Sequence, residues 1–205
     1  MTYSAALTAS AIAKPYLEMH PVGKVFLGVA VVSGVIEISG AFRSRTEATT
    51  RDRGSQIVLR ACSIPGVVLL LFAPRVLPAA DIRPPLVAAI AGIVIFASGE
   101  ALRVWAKLTL GRYFTYTVQT SSDQPVITSG PYRFLRHPSY SGVLLIVIGA
   151  GAAWGNWLGL GALALLTFVG LSYRINVEEK ALLEELGDRY RTFAEHRKRL
   201  IPFVW

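Results

Sequence analysis

The chain has 205 residues, of which 53% are hydrophobic and 17% charged, with a mean hydropathy of +0.47 and a formal net charge of +8. Soluble domains carry about 25% charged residues, so the composition excludes an ordinary soluble domain and points to an integral membrane protein of one domain, or of two small ones. The excess of positive charge then reads as membrane topology and attraction to anionic lipid rather than nucleic-acid binding. The single cysteine, Cys62, excludes an intramolecular disulfide and a cysteine-rich metal site.

Residues 1–20 lack the basic start of a signal peptide and read as an interfacial lead-in. A first span is expected over Gly23–Phe42; its Glu37 is costly in hydrocarbon unless it faces the bundle or an arginine near the helix end. Arg43–Gln56 is a charged loop, and a second span follows over 57–73, where Pro65-Gly66 predicts a kink. After a proline-rich turn, Pro74–Pro85, a third span covers 86–101 and passes into a basic, aromatic-rich stretch, Leu102–Gln119, of the kind found at membrane interfaces. The uncharged run Val143–Tyr173 is too long for one span; Trp154-Gly155-Asn156-Trp157 divides it into a hairpin, 138–153 and 157–173. Gly149, Gly151, Gly155, Gly159 and Gly161 are expected to let the two hairpin helices approach closely. Leu182, Leu183, Leu186, Tyr190 and Phe193 recur at helical spacing and predict a C-terminal amphipathic helix.

Five spans alternate the basic residues: 17 of the 21 Lys and Arg fall on one side and 4 on the other. The reading is an all-α integral membrane protein with its N-terminus outside, its C-terminus cytosolic and a cytosolic polar face. Residues 1–101 form a membrane region with three spans, and 102–205 a second region with the hairpin and the C-terminal helix.

Between the spans lies Ile127–Gly142, dense in proline, glycine, tyrosine, histidine and arginine and set directly against a hydrophobic run. It reads as the floor of an active site. No phosphate loop, dinucleotide fingerprint, nucleophile elbow or metal-ligand spacing among His20, His137 and His196 is present. What remains is a constellation of Gln119, the 127–142 segment, and Arg174 with Glu178 and Glu179. Arg174 and Glu178 are four residues apart on one helix face, which suits a surface ion pair or a pair of ligand contacts equally well. His137-Pro138 is by itself a helix start with proline at the first position.

Gly130-Pro131-Tyr132, then Arg136-His137-Pro138, Tyr140 and Gly142, followed after the hairpin by Arg174 and Glu178-Glu179, resembles the isoprenylcysteine carboxyl methyltransferase family. Phospholipid N-methyltransferases are its more distant relatives. Gly187, Tyr190 and Leu200-Ile201-Pro202-Phe203 are similar to that family's ending, and the likeness covers about residues 100–205. It implies a membrane-embedded enzyme that uses S-adenosylmethionine at the cytosolic face without a dinucleotide-binding domain. By position, Gln119, Gln124, Pro125, Val126, Ile127, Tyr132, His137, Pro138, Ser139 and Tyr140 would line the cofactor site. Glu178 would take the methionine end of the cofactor, and Arg174 would be the catalytic and substrate-binding residue. The Gln119-to-Gln124 connection is shorter than in eukaryotic members, and the N-terminal region lacks their extra spans.

A carboxylate is ionised at neutral pH and needs only positioning and desolvation to accept a methyl group, whereas an amine arrives protonated and needs a base. Arginine suits a planar carboxylate. The expected reaction is therefore O-methylation of a lipophilic acid, isoprenylcysteine-like or another lipid, whose tail enters from the bilayer between the third, fourth and fifth spans. Methylation of a phospholipid or lipid amine, and a non-catalytic lipid-binding protein, are the alternatives.

Overall fold

A computed structural model describes residues 33, 49–116, 118–120, 125–201 and 205; for 49, 50, 119 and 120 only the backbone is described. All but Ser33 belong to one compact unit, Ser39–Trp205. The span expected over 23–42, with its Glu37, and Gln124 lie outside the described residues.

Among its described residues five α-helices carry the unit: α1 (Ser55–Val76), α2 (Pro85–Leu110), α3 (Pro138–Trp154), α4 (Trp157–Leu186) and α5 (Asp188–Glu195). Among the described residues α1, α2 and α4 are long and apolar enough to cross a membrane, and α3 is a shorter apolar helix. Ile64, Val94 and Leu165 are 59–63% exposed, as side chains facing lipid would be. Helix α1 runs through both Pro65 and Pro74 instead of stopping before the second. The all-α expectation needs one small correction. Thr49–Thr50 (β1) and Gln119–Thr120 (β2) pair antiparallel, Thr49 opposite Thr120 and Thr50 opposite Gln119.

Two helices extend beyond the expected spans. Helix α2 continues past Ala101 to Leu110, and α4 continues past Tyr173 to Leu186 without a break. At about 1.5 Å per residue, a hydrocarbon core about 30 Å thick takes up roughly the first twenty residues of α4. Its remaining turns, from about Arg174, therefore project beyond the apolar layer. The expected amphipathic helix is thus the end of α4 plus the short α5, with a break at Gly187; Leu186, Tyr190 and Phe193 are its buried face.

Packing follows the glycines. A Cβ at Gly149 would lie 2.4 Å from the Phe96 backbone nitrogen, and one at Gly92 2.4 Å from that of Ala153. One at Gly99 would meet the Gly142 carbonyl oxygen at 2.7 Å. The backbones of α2 and α3 therefore touch, antiparallel, at two glycine pairs seven residues apart, and no larger residue fits. Gly66, Gly159 and Gly170 seat α1 against α4 in the same way, against the Cα atoms of Leu163, Leu70 and Leu59. Of the hairpin glycines only Gly151, against Leu160, brings α3 close to α4; Gly161 has nothing within 4 Å. Gly149 and Gly159 serve α2 and α1 instead, because a helix's partner is set by the bundle and not by its neighbour in sequence. At the turn, Asn156 caps α4 by accepting from Leu158 and Gly159 N–H, and its Nδ2 donates to Leu77 O and Asp81 Oδ1.

This packing predicts unequal responses to the same substitution. Gly149→Ala forces a methyl into backbone and should lower the thermal unfolding temperature in detergent, in keeping with a cost of about 1–3 kcal/mol. Gly161→Ala meets open space and should leave the temperature unchanged or raise it, helix propensity favouring alanine by up to about 1 kcal/mol. Equal effects at the two positions would contradict the α2–α3 contact.

Candidate functional site

The basic end of the bundle holds a cavity whose wall comes from widely separated stretches: Gln56 and Leu59 on α1, Arg103 and Leu110 on α2, residues 113–116 with Val118, and residues 125–127. Tyr132, Arg136, His137, Ser139, Tyr140 and Val143 also line it, as do Leu171, Arg174, Glu178, Leu182, Leu186, Tyr190 and Phe193. The Ile127–Gly142 segment reaches the wall through a tight turn. Gly130 has φ 56°, and a Cβ there would press on Thr109 Oγ1 at 2.6 Å, so the Gly130–Arg133 turn lies against the end of α2. Pro138 then occupies the first position of α3, with His137 before it.

Arg174, 3% exposed, is the most heavily bonded side chain of the wall. Its Nε donates to the Tyr140 hydroxyl at 2.8 Å, and Tyr140 in turn donates to Glu178 Oε2 at 2.6 Å. Its Nη1 has three acceptors, Gln56 Oε1 at 2.9 Å, Ser55 Oγ at 3.1 Å and Asp52 Oδ1 at 3.2 Å, for two hydrogens. Its Nη2 donates to the Tyr116 carbonyl. Arg174 and Glu178 are thus not a simple surface pair; the phenol of Tyr140 stands between them.

Asp52 also closes the first turn of α1, accepting from Ser55 Oγ at 2.8 Å and from the backbone N–H groups of Gln56 and Val118 at 3.2 Å. Burial alone would raise its carboxyl. The hydrogen bonds from Ser55, Gln56 and Val118, with the Arg174 charge, outweigh burial and hold it below the ordinary aspartate value.

Glu178 and Glu179 are neighbours in sequence but serve different partners. Glu178, with its side chain 29% exposed, faces the cavity. Glu179 is buried and accepts from Arg136 Nη1 at 2.7 Å, and from Arg199 Nε and Nη2 at 3.0 and 2.7 Å; His137 Nε2 lies 3.2 Å from it. The backbone completes this latch: Arg136 and His137 N–H donate to Lys198 and Arg199 carbonyls at 2.8 and 3.0 Å, and Ser141 Oγ donates to Leu200 O. His137 stacks on Tyr140 with ring centroids 5.6 Å apart. Arg103, buried, donates through Nη1 to Ser139 Oγ at 2.7 Å. Burial, reinforced by Glu178 and opposed by Arg103, pushes the Tyr132 phenol well above its ordinary value, so it is a neutral donor.

The cavity therefore gathers Pro125, Val126, Ile127, Tyr132, His137, Ser139, Tyr140, Arg174 and Glu178. Pro138 is buried in the α3 turn and is not among the described wall residues; the backbone of Gln119 pairs with that of Thr50, and its side chain lies outside the description. Asp52, Ser55 and Gln56, the wall residues Arg103, Tyr190 and Phe193, and the Arg199 end of the latch were missed from sequence. For Asp52, Ser55 and Gln56 the charge in the 51–53 loop was the only signal, and it reads equally as solvated surface. Among the described residues no group of three or more His, Cys, Asp or Glu could hold a metal ion.

A family profile described as the isoprenylcysteine carboxyl methyltransferase (ICMT) family matches residues 90–184. A probable protein-S-isoprenylcysteine O-methyltransferase of Oryza sativa subsp. indica is 34% identical over 115 residues, 55% of this chain and 60% of that protein. A protein-S-isoprenylcysteine O-methyltransferase of Tribolium castaneum is 36% identical over 115 residues, 55% of this chain and 41% of the relative. The chain thus spans at most about 60% of the length of these two relatives. A solved structure of a eukaryotic intramembrane Ras methyltransferase, an isoprenylcysteine carboxyl methyltransferase, superposes with a TM-score of 0.67 at 25% identity, covering 94% of this chain and 71% of that one. The fold is that of a multi-pass integral membrane protein. Residues 52–56 lie outside the profile match.

The depressed Asp52 carboxyl predicts a pH dependence with a definite sign. A carboxyl whose native value lies below its unfolded value stabilises fully above the unfolded value, about pH 4, and loses that contribution as pH falls through the native value. Thermal unfolding of the wild type should therefore drop below about pH 4 more steeply than that of Asp52→Asn, which should start lower at neutral pH. Parallel curves would mean that Asp52 does not hold Arg174.

Proposed function

This chain belongs to the isoprenylcysteine carboxyl methyltransferase family, and on that premise we propose that it is an S-adenosylmethionine-dependent methyltransferase that esterifies a lipophilic, isoprenylcysteine-like carboxylic acid at the cytosolic face of its membrane. The observation that carries the reading is the meeting in one cavity of Tyr140 with Arg174 and Glu178, two motifs separated in sequence by the whole α3–α4 hairpin.

The cavity residues fit the cofactor. Glu178 offers a carboxylate to a cationic amino group, and Val126, Leu182, Leu186 and Phe193 offer an apolar slot to a flat purine. Bound there, S-adenosylmethionine would supply an electrophilic methyl group on a sulfonium. The chain's own work is to orient, to desolvate and to hold charge. Of the two Nη2 hydrogens of Arg174, the Tyr116 carbonyl accounts for one partner among the described residues. The other is left to address a substrate carboxylate. Asp52 and Gln56 hold the guanidinium plane while it does so, which lessens the reorganisation required during reaction. Tyr140, fixed between Arg174 and Glu178, separates the acid subsite from the cofactor subsite. No general base is required, since the acceptor is already ionised.

Leu59, Val143 and Leu171 extend the wall from this polar end toward the apolar interior among α1, α3 and α4. That supports a hydrocarbon tail entering from the bilayer. The basic residues gathered at this end support a cytosolic orientation. Helices α1 and α2 would then help to shape the tail channel, and 102–205 would carry most of the catalytic face.

Titration calorimetry with S-adenosylhomocysteine in detergent should show binding to the wild type and its loss in Glu178→Ala; no binding to the wild type would refute the proposal. Arg174→Lys keeps the charge and loses the planar fork. It should retain cofactor binding while methylation of an S-farnesylcysteine falls by about a hundredfold or more. Unchanged turnover would remove Arg174 from the acid subsite.

A further inference from the structure

Two buried polar atoms of wall residues are unmatched among the described residues, Arg136 Nε and the Tyr190 hydroxyl, and the second belongs to a side chain that could be apolar throughout. Tyr190, near the start of α5, is 4% exposed, and its hydroxyl is buried with no hydrogen-bond partner among the described residues. Leaving such a group unpaired costs about 1–3 kcal/mol. The ring itself is accounted for by packing: it lies 5.7 Å from Phe193, centroid to centroid, in the cluster with Leu186. Phenylalanine would fill that space equally well without the cost.

The carboxylates around the hydroxyl accept from other donors. Glu179 is held by Arg136, His137 and Arg199, and Glu178 Oε2 accepts from Tyr140. Burial, with Glu179 and Glu178 adding to it against Arg136 and Arg199, raises the Tyr190 phenol, so it stays protonated and is a donor. Val126, Leu182, Leu186 and Phe193, its neighbours on the wall, are apolar. With Glu178 assigned to the cofactor's amino group, the apolar wall beside Tyr190 suits the purine ring or its sugar, which bring neutral acceptors.

We propose that the Tyr190 hydroxyl donates a hydrogen bond to the nucleoside half of the cofactor and sets the enzyme's preference for it. This rests on the methyltransferase reading and extends it to a residue beyond the family profile match, which ends at 184. The side chain lines the cavity and is held there by the packing of its ring.

The test uses the full chain in detergent, the variant Tyr190→Phe, and two probes, S-adenosylhomocysteine and 5′-methylthioadenosine, the second lacking the amino-acid half. Both dissociation constants should rise about three- to tenfold in the variant, the value of one neutral hydrogen bond. The unfolding temperature without ligand should stay the same or rise, since an unpaired buried hydroxyl has been removed. A lower unfolding temperature, or failure to fold, would overturn the proposal by showing that the hydroxyl is bonded within the protein. Unchanged affinities would also overturn it, as would a loss confined to S-adenosylhomocysteine, or a wild type that takes S-adenosylhomocysteine but refuses 5′-methylthioadenosine. A wild type that binds neither probe would instead refute the methyltransferase reading, and this inference with it.

Discussion

A guanidinium buried where a membrane helix leaves the apolar layer must find partners for its N–H groups inside the protein, and Arg174 finds them on three separate stretches of chain. Asp52, Ser55 and Gln56 come from the start of α1, Tyr116 from the segment after α2, and Tyr140 from α3. An isolated buried cation would be far too costly, so the end of α4 can sit where it does only if these elements converge on it. The cavity is the space that this convergence leaves beside the guanidinium.

The second constraint is the division of labour between Glu178 and Glu179. Successive helix residues point about 100° apart, so one carboxylate faces the cavity while the other turns to the latch of Arg136, His137 and Arg199. The latch ties residues 198–200 to the 135–137 strip and holds His137 against the Tyr140 ring. The motif histidine thus acts in the structure through position, between a carboxylate and a phenol. At the other end of the bundle Asn156 performs a comparable task for the turns, so both ends of the short helix α3 are fixed. The backbone contact of α2 with α3 through Gly92, Gly99, Gly142 and Gly149 keeps Arg103 within reach of Ser139.

Much of this could be read from the sequence, and the failures have physical causes. Hydropathy marks where the bilayer ends, not where a helix ends, so α2 and α4 were expected to stop at their first charges but run on to Leu110 and Leu186. The α3–α4 turn was legible because glycine and asparagine have positional meaning there: Gly155 takes the left-handed conformation and Asn156 caps. Which helix each glycine serves was not legible, because a face has no partner until the bundle forms. Tyr132, His137, Tyr140, Arg174 and Glu178 were found through their resemblance to a known family, and they do share one wall. Asp52 and Gln56 escaped because a carboxylate in a charged loop looks like solvated surface until a buried arginine is seen beside it.

The central claim is that the site esterifies an acid rather than alkylating an amine. Membranes containing the protein, supplied with S-adenosylmethionine labelled in its methyl group and an S-farnesylcysteine, test it most directly. The account predicts lipid-soluble label that depends on the added acid and is released by mild base as volatile methanol. Label that appears without the acid and resists base would identify a methylated amine and contradict it.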